Sequence, residues 1–209
     1  MKGQVDIVSI IIITGVIIAL IGTVYSWSVP LVNKGQADTI FRTATSFVRS
    51  LDSEVTRVAN SGGEVSLDIN PPGGLVRVIP AGSPDPLENT IIFELPVSQP
   101  LAFDTADTYI SEVTFAETSG GTGTFGSSSP GIIKFRVVPL GSQWKAVYEI
   151  HYRTLEDKNT NKEYKITLNQ GGEGVASGRS RINLRLEGTT TAVVSGIIIS
   201  TTNIIVTVV

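Results

Sequence analysis

Ile7-Val8-Ser9-Ile10-Ile11-Ile12-Ile13-Thr14-Gly15-Val16-Ile17-Ile18-Ala19-Leu20-Ile21-Gly22-Thr23-Val24 is almost wholly apolar and is followed at once by Tyr25 and Trp27. A run of this length far exceeds an ordinary strand. Its many β-branched residues lower helix propensity in water, but in lipid the backbone must satisfy its own hydrogen bonds, so the run predicts a membrane-spanning helix with an aromatic anchor at the interface. Lys2 and the amino terminus precede the run and Lys34 is the nearest cation beyond it. That is a small bias, read as amino terminus inside.

Outward from this run, Pro30 ends the first apolar stretch. A second helical pattern begins near Ala37, with Ile40, Phe41, Ala44, Phe47, Val48, Leu51, Val55 and Val58 at three- and four-residue spacing. Arg42, Arg49, Asp52, Glu54 and Arg57 occupy the other face, Asp38 reads as an early cap or dipole partner, and Asn60-Ser61-Gly62-Gly63 supplies a stop. The apolar stripe is expected to pack on the chain's own body. Gly15 and Gly22 lie seven residues apart, so they share nearly one helix face and mark a candidate helix-packing surface.

Past Gly63 the chain breaks into short runs rich in Val, Ile, Thr, Phe and Tyr between Gly, Pro, Asn and Asp clusters. Candidate strands are Val65 to Ile69, Leu75 to Ile79, Ile91 to Leu95, Tyr109 to Phe115, Ile132 to Val138, Lys145 to Tyr152, Tyr164 to Leu168, Arg181 to Leu186, Thr191 to Ile199 and Ile204 to Val209. The expected fold class is α+β: a long N-terminal hydrophobic helix followed by an immunoglobulin-like antiparallel β-sandwich. The expected divisions are a leader at 1–3, a hydrophobic helix at 4–29, an amphipathic continuation at 30–60 and a β body at 61–209. The last two strands read as a hairpin turning at Ser200-Thr201-Thr202-Asn203 and covered on both sides. Residues 118–131, rich in Gly and Ser around Phe125, read as a flexible surface loop.

A net charge of −3 with 17% charged residues offers no basic field for phosphate, so nucleic acid is not an expected partner. Zero cysteines exclude disulfides, thiol catalysis and cysteine metal sites. The single histidine, His151, lies in a predicted strand without a second histidine or cysteine to build a catalytic or metal set. Asp157, Asn159, Asn161 and Glu163 recur at every second position, as in the opening of a calcium loop. Lys162 stands where such a loop needs glycine, so a solvated hairpin turn is expected instead. Asp104 and Asp107 carry no information without a cleft, and Pro71-Pro72-Gly73-Gly74 lacks the Lys-Ser/Thr continuation of a phosphate loop. No catalytic residue, cofactor or metal is expected, and the chain does not read as an enzyme.

Met1-Lys2-Gly3 followed by Gln4 places a basic residue and a glycine directly ahead of the apolar helix. This resembles the class III signal peptide of archaeal type IV pilins and archaellins, with Asp6 where bacterial pilins typically carry glutamate. The resemblance implies processing at Lys2, Gly3 and Gln4 by a prepilin peptidase, and retention of the helix on the mature chain. It further implies a precursor held in the membrane and then assembly as a homo-oligomeric extracellular filament, for adhesion or for motility. The other reading of the same residues is a signal anchor that tethers a surface β-sandwich domain. That domain would bind a protein partner, such as a minor pilin or stator-like component.

Overall fold

The computed structural model describes residues 2–70, 73–97, 108–110, 122–141, 143–172, 175–177 and 180–209. One helix, α1 (Lys2–Ser61), runs without interruption through Pro30. The expectation that Pro30 ends the first stretch is corrected: proline removes one i→i−4 bond, and the ladders on either side carry the helix across the gap. Asp38 is accordingly no cap. It sits inside α1 and pairs with Arg42 Nε at 2.9 Å on the exposed face. The expected stop holds, since α1 ends at Ser61, Gly62 and Gly63 adopt φ of +74° and +90°, and the Gly62 N–H closes on the Val58 carbonyl at 2.9 Å.

The strands that follow are β1 (Glu64–Asp68), β2 (Leu75–Ile79), β3 (Thr90–Val97), β4 (Thr108–Tyr109), β5 (Gly123–Thr124), β6 (Gly131–Leu140), β7 (Gln143–Tyr152), β8 (Leu155–Asp157), β9 (Lys162–Gln170), β10 (Val175–Ser177), β11 (Arg181–Val194) and β12 (Ile197–Val208). They form two six-stranded sheets, in the orders β1-β11-β12-β9-β8-β5 and β10-β2-β3-β7-β6-β4. Most neighbours are antiparallel, but β12 lies parallel to β9 and β5 parallel to β8. The chain is thus α+β, a long N-terminal helix followed by two antiparallel-rich sheets.

Alternation places one side of each strand inward. Ile91, Phe93, Leu95 and Val97 of β3, Ala146, Tyr148, Ile150 and Tyr152 of β7, Ile182 and Leu184 of β11, and Ile204, Val206 and Val208 of β12 join a single core. The expected helical stripe completes it: Ala44, Val48, Leu51, Val55 and Val58 are fully buried there. Phe41 meets Phe135 edge-on with ring centroids 5.1 Å apart, and Phe47 lies 5.1 Å from Phe93. The upper half of α1 is therefore a structural element of the body.

Two further expectations change. The last hairpin turns at Ser195-Gly196, both at positive φ, and the Ser200 to Asn203 quartet lies inside β12. Its arm is not covered on both sides: residues 189 to 196 are exposed, Val193 at 70%. Within the expected loop, β5 joins a sheet edge, and Phe125 stacks on Tyr164 with centroids 4.1 Å apart. Asp104, Asp107, Pro71, Pro72, residues 118–121 and residues 111–115 of the strand expected from Tyr109 to Phe115 lie outside the described residues; Tyr109 itself ends β4.

Candidate functional site

The most distinctive surface is the lower half of α1. Every described side chain from Ser9 to Gln36 is exposed, including Ile10 to Ile13, Ile17, Ile18, Leu20 and Ile21, with Tyr25 and Trp27 beyond them. The helix is long and apolar enough to cross a membrane, with a mean hydropathy of 2.2 in its most apolar window. Three hydroxyls near the upper end of this half bond back into the helix: Thr23 Oγ1 donates to the Ala19 carbonyl at 2.8 Å, Ser26 Oγ to the Thr23 carbonyl at 3.0 Å and Ser28 Oγ to the Tyr25 carbonyl at 3.4 Å. Such pairing leaves little polarity to satisfy in an apolar surrounding.

Gly15 and Gly22 both fall on this exposed half, and a Cβ added at either meets no atom of the chain within 4 Å. Any contact that depends on their smallness is made with something outside the chain. Lys2, Gly3 and Gln4 lie in the first turn of α1, and the side chains of residues 1–8 lie outside those described.

The segment from Asp157 to Glu163 is the turn between β8 and β9. Asp157 accepts from the Asn159 N–H at 3.0 Å and from Thr160 Oγ1 at 2.6 Å, bonds that hold its carboxyl below the usual carboxylate range. Asn161 Nδ2 donates instead to the Gly196 carbonyl at 2.8 Å, tying the tip of the β11–β12 hairpin to this turn. Among the described residues no group of three His, Cys, Asp or Glu side chains could hold a metal ion.

His151, on β7, lines a cleft of about 360 Å³ with Glu88, Asn89, Thr90, Lys134, Glu149, Arg153, Thr154 and Lys165. Its Nδ1 lies 3.1 Å from Thr90 Oγ1, and burial together with Lys134 and Lys165 lowers its pKa, opposed by Glu88 and Glu149. Asn89, at φ +59°, is buried at the rim. Its Nδ2 donates to the carbonyls of Tyr152 at 3.0 Å and Ile166 at 2.8 Å, and its Oδ1 accepts from the Leu168 N–H at 2.9 Å, so one side chain links β7 of one sheet to β9 of the other.

Asp52 and Tyr152 form a second buried polar contact. Burial pushes the Asp52 carboxyl up from 3.8 to about 6 while the Tyr152 hydroxyl works against that rise. Tyr152 is itself raised, by burial and by the neighbouring carboxyl. Neither Asp52 Oδ1 nor the Tyr152 hydroxyl closes a hydrogen bond of good geometry. Asn89 and Arg153 escape sequence reasoning because their partners are far along the chain; the left-handed turn propensity of Asn89 was the one available signal. Asp52, expected on the polar face of the helix, lies instead against Tyr152, which corrects that expectation. Comparisons with protein-family models, curated proteins and solved structures found no match.

Proposed function

We propose that the chain is a structural subunit of an extracellular filament of the archaeal type IV pilus or archaellum kind, inserted in the membrane as a precursor and polymerising through α1. The observation that carries this reading is the division of one continuous helix: its upper half is packed into the body, and its lower half is apolar on all sides and exposed. At about 1.5–3 kcal/mol per large aliphatic side chain, leaving the run from Ile10 to Val24 in water would cost on the order of 15–30 kcal/mol. That half therefore requires lipid before assembly and neighbouring helices after it. Cleavage at Lys2-Gly3-Gln4 by a prepilin peptidase, the immunoglobulin-like character of the body and a role in adhesion or motility belong to the same proposal.

A signal-anchored surface domain binding a minor pilin or stator-like partner uses the same helix, and the exposed hairpin arm around Val193 and Val194 favours it as the second reading. Electron microscopy of material sheared from the cell surface separates the two. Long filaments containing this chain support the first. Complete retention in the membrane fraction overturns it.

A further inference from the structure

Among the described residues, the cleft beside β7 contains a cation without a counter-ion. Arg153 is only 5% exposed. Its Nε donates to the Ser129 carbonyl at 3.1 Å, while Nη1 is buried and has no acceptor, and Arg153 makes no ion pair among the described residues. Guanidinium does not escape burial by losing its proton, and an unanswered buried charge is costly.

The fold nonetheless secures this arrangement from above. A Cβ at Gly123 would lie 2.9 Å from the guanidinium carbon and Nε and 2.7 Å from Leu155 Cδ2, so a residue without a side chain lets β5 lie across Arg153. The Gly123 N–H donates to the Thr154 carbonyl and the Phe125 N–H to the Glu156 carbonyl, both at 2.9 Å, which holds β5 in place.

Around Arg153 the cleft is positive on a chain of net negative charge. Lys134 and Lys165 line it with Glu88 and Glu149. Glu149 is engaged by Arg136 at 2.6 Å and by Lys134 at 3.8 Å, and Glu88 accepts from the Gly82 N–H at 2.8 Å. Lys165 is exposed at the rim and makes no ion pair among the described residues. Thr90 and Thr154 add polar lining.

We propose that this cleft binds one oxyanion group, a carboxylate, sulfate or phosphate on a small molecule, with Arg153 as the fixed positive charge of its wall and Lys165 as the charge at the rim. The site is independent of the filament reading.

His151 is the only histidine, so its imidazole resonances report on the cleft without assignment ambiguity. The groups that set its charge are Lys134, Lys165, Glu88 and Glu149, and an anion bound among them favours the imidazolium. The experiment titrates full-length protein in detergent micelles with sulfate, inorganic phosphate or glucuronate, at ionic strength held constant with chloride. The expected result is a saturable shift of the His151 resonances with at least one of the three and a higher His151 pKa in its presence. Arg153→Met should weaken binding by at least about tenfold, the effect of one charge-assisted hydrogen bond. If that variant does not fold, exposed Lys165→Met should weaken binding severalfold. A response to glucuronate alone identifies a carboxylate site, and a response to sulfate and phosphate identifies a tetrahedral-anion site. No saturable shift with any of the three, or an equal shift in Arg153→Met, overturns the proposal.

Discussion

Replacing Asp52 by Asn should make the body more stable near neutral pH and remove a specific part of its pH dependence. Asp52 is on the buried side of α1, facing Tyr152 of β7, and it packs so close to Gly131 that no Cβ fits there. Burial raises its pKa from 3.8 to about 6. The native state thus holds the Asp52 proton more tightly than the unfolded chain does. Its contribution is fully present below the unfolded value, declines as pH rises from about 4 to about 6, and is gone above that. The gap between the two values corresponds to about 3 kcal/mol. Asparagine keeps the shape without the charge, so the variant should match wild type near pH 4 and exceed it near pH 7 by about 1–3 kcal/mol. Urea denaturation of the full chain in micelles, followed by tryptophan fluorescence at a series of pH values, gives the difference curve directly. A flat difference from about pH 4 to about pH 8 would refute the assignment of a strained, charged Asp52 at this interface.

Asn89→Ala removes three buried hydrogen bonds at about 1 kcal/mol each, and leaves an alanine at φ +59° without the asparagine preference for that region. It should cost about 3–5 kcal/mol in denaturant unfolding, and a loss under about 1 kcal/mol would show that Asn89 does not hold the two sheets together. Gly3→Ile should block maturation and leave the precursor in the membrane, whereas mass spectrometry of surface filaments showing Met1 intact would count against cleavage at that site. Chelator treatment should leave the melting temperature unchanged, since the Asp157 carboxylate is engaged by Asn159 and Thr160; a large drop would restore a metal to that turn. Gly15→Leu with Gly22→Leu should insert and fold normally yet fail to make filaments, because neither side chain meets the chain itself; wild-type filament yield at matched membrane expression would remove this face from assembly.

What could be read in advance is whatever has a period. The apolar run announces a helix by length, the stripe from Ala44 to Val58 announces a buried face, and β2 occupies the expected residues from Leu75 to Ile79. Where local chemistry competes with partners elsewhere, the local rule misleads. Ser200-Thr201-Thr202-Asn203 resembles a turn by composition, yet Thr is also a strand former, and β9 lies alongside with Ser200 opposite Tyr164 and Asn203 opposite Thr167. Ser195-Gly196 is shorter but supplies the two positive φ angles that a tight hairpin requires. Asn89 and Arg153 carry no periodic signal, because their roles depend on strands remote in sequence.

The same competition explains why Pro30 failed as a stop and why it stands where it does. From Ser9 to Gln36 the described side chains are all exposed, and from Ala37 onward one face enters the core. The change of surroundings falls just after Pro30 and Gly35, both poor helix formers in water. Such residues are least costly where no core packing depends on them, and Gly35, like Gly15 and Gly22, has open space around it. A substitution at Leu51 or Val55 must therefore appear as lost stability of the β body, because those side chains are fully buried against it. One at Ile17 or Gly22 must leave the body unaffected and act only through what surrounds the lower helix. The helix is one continuous element through Pro30, but only its upper half is constrained by the rest of this chain.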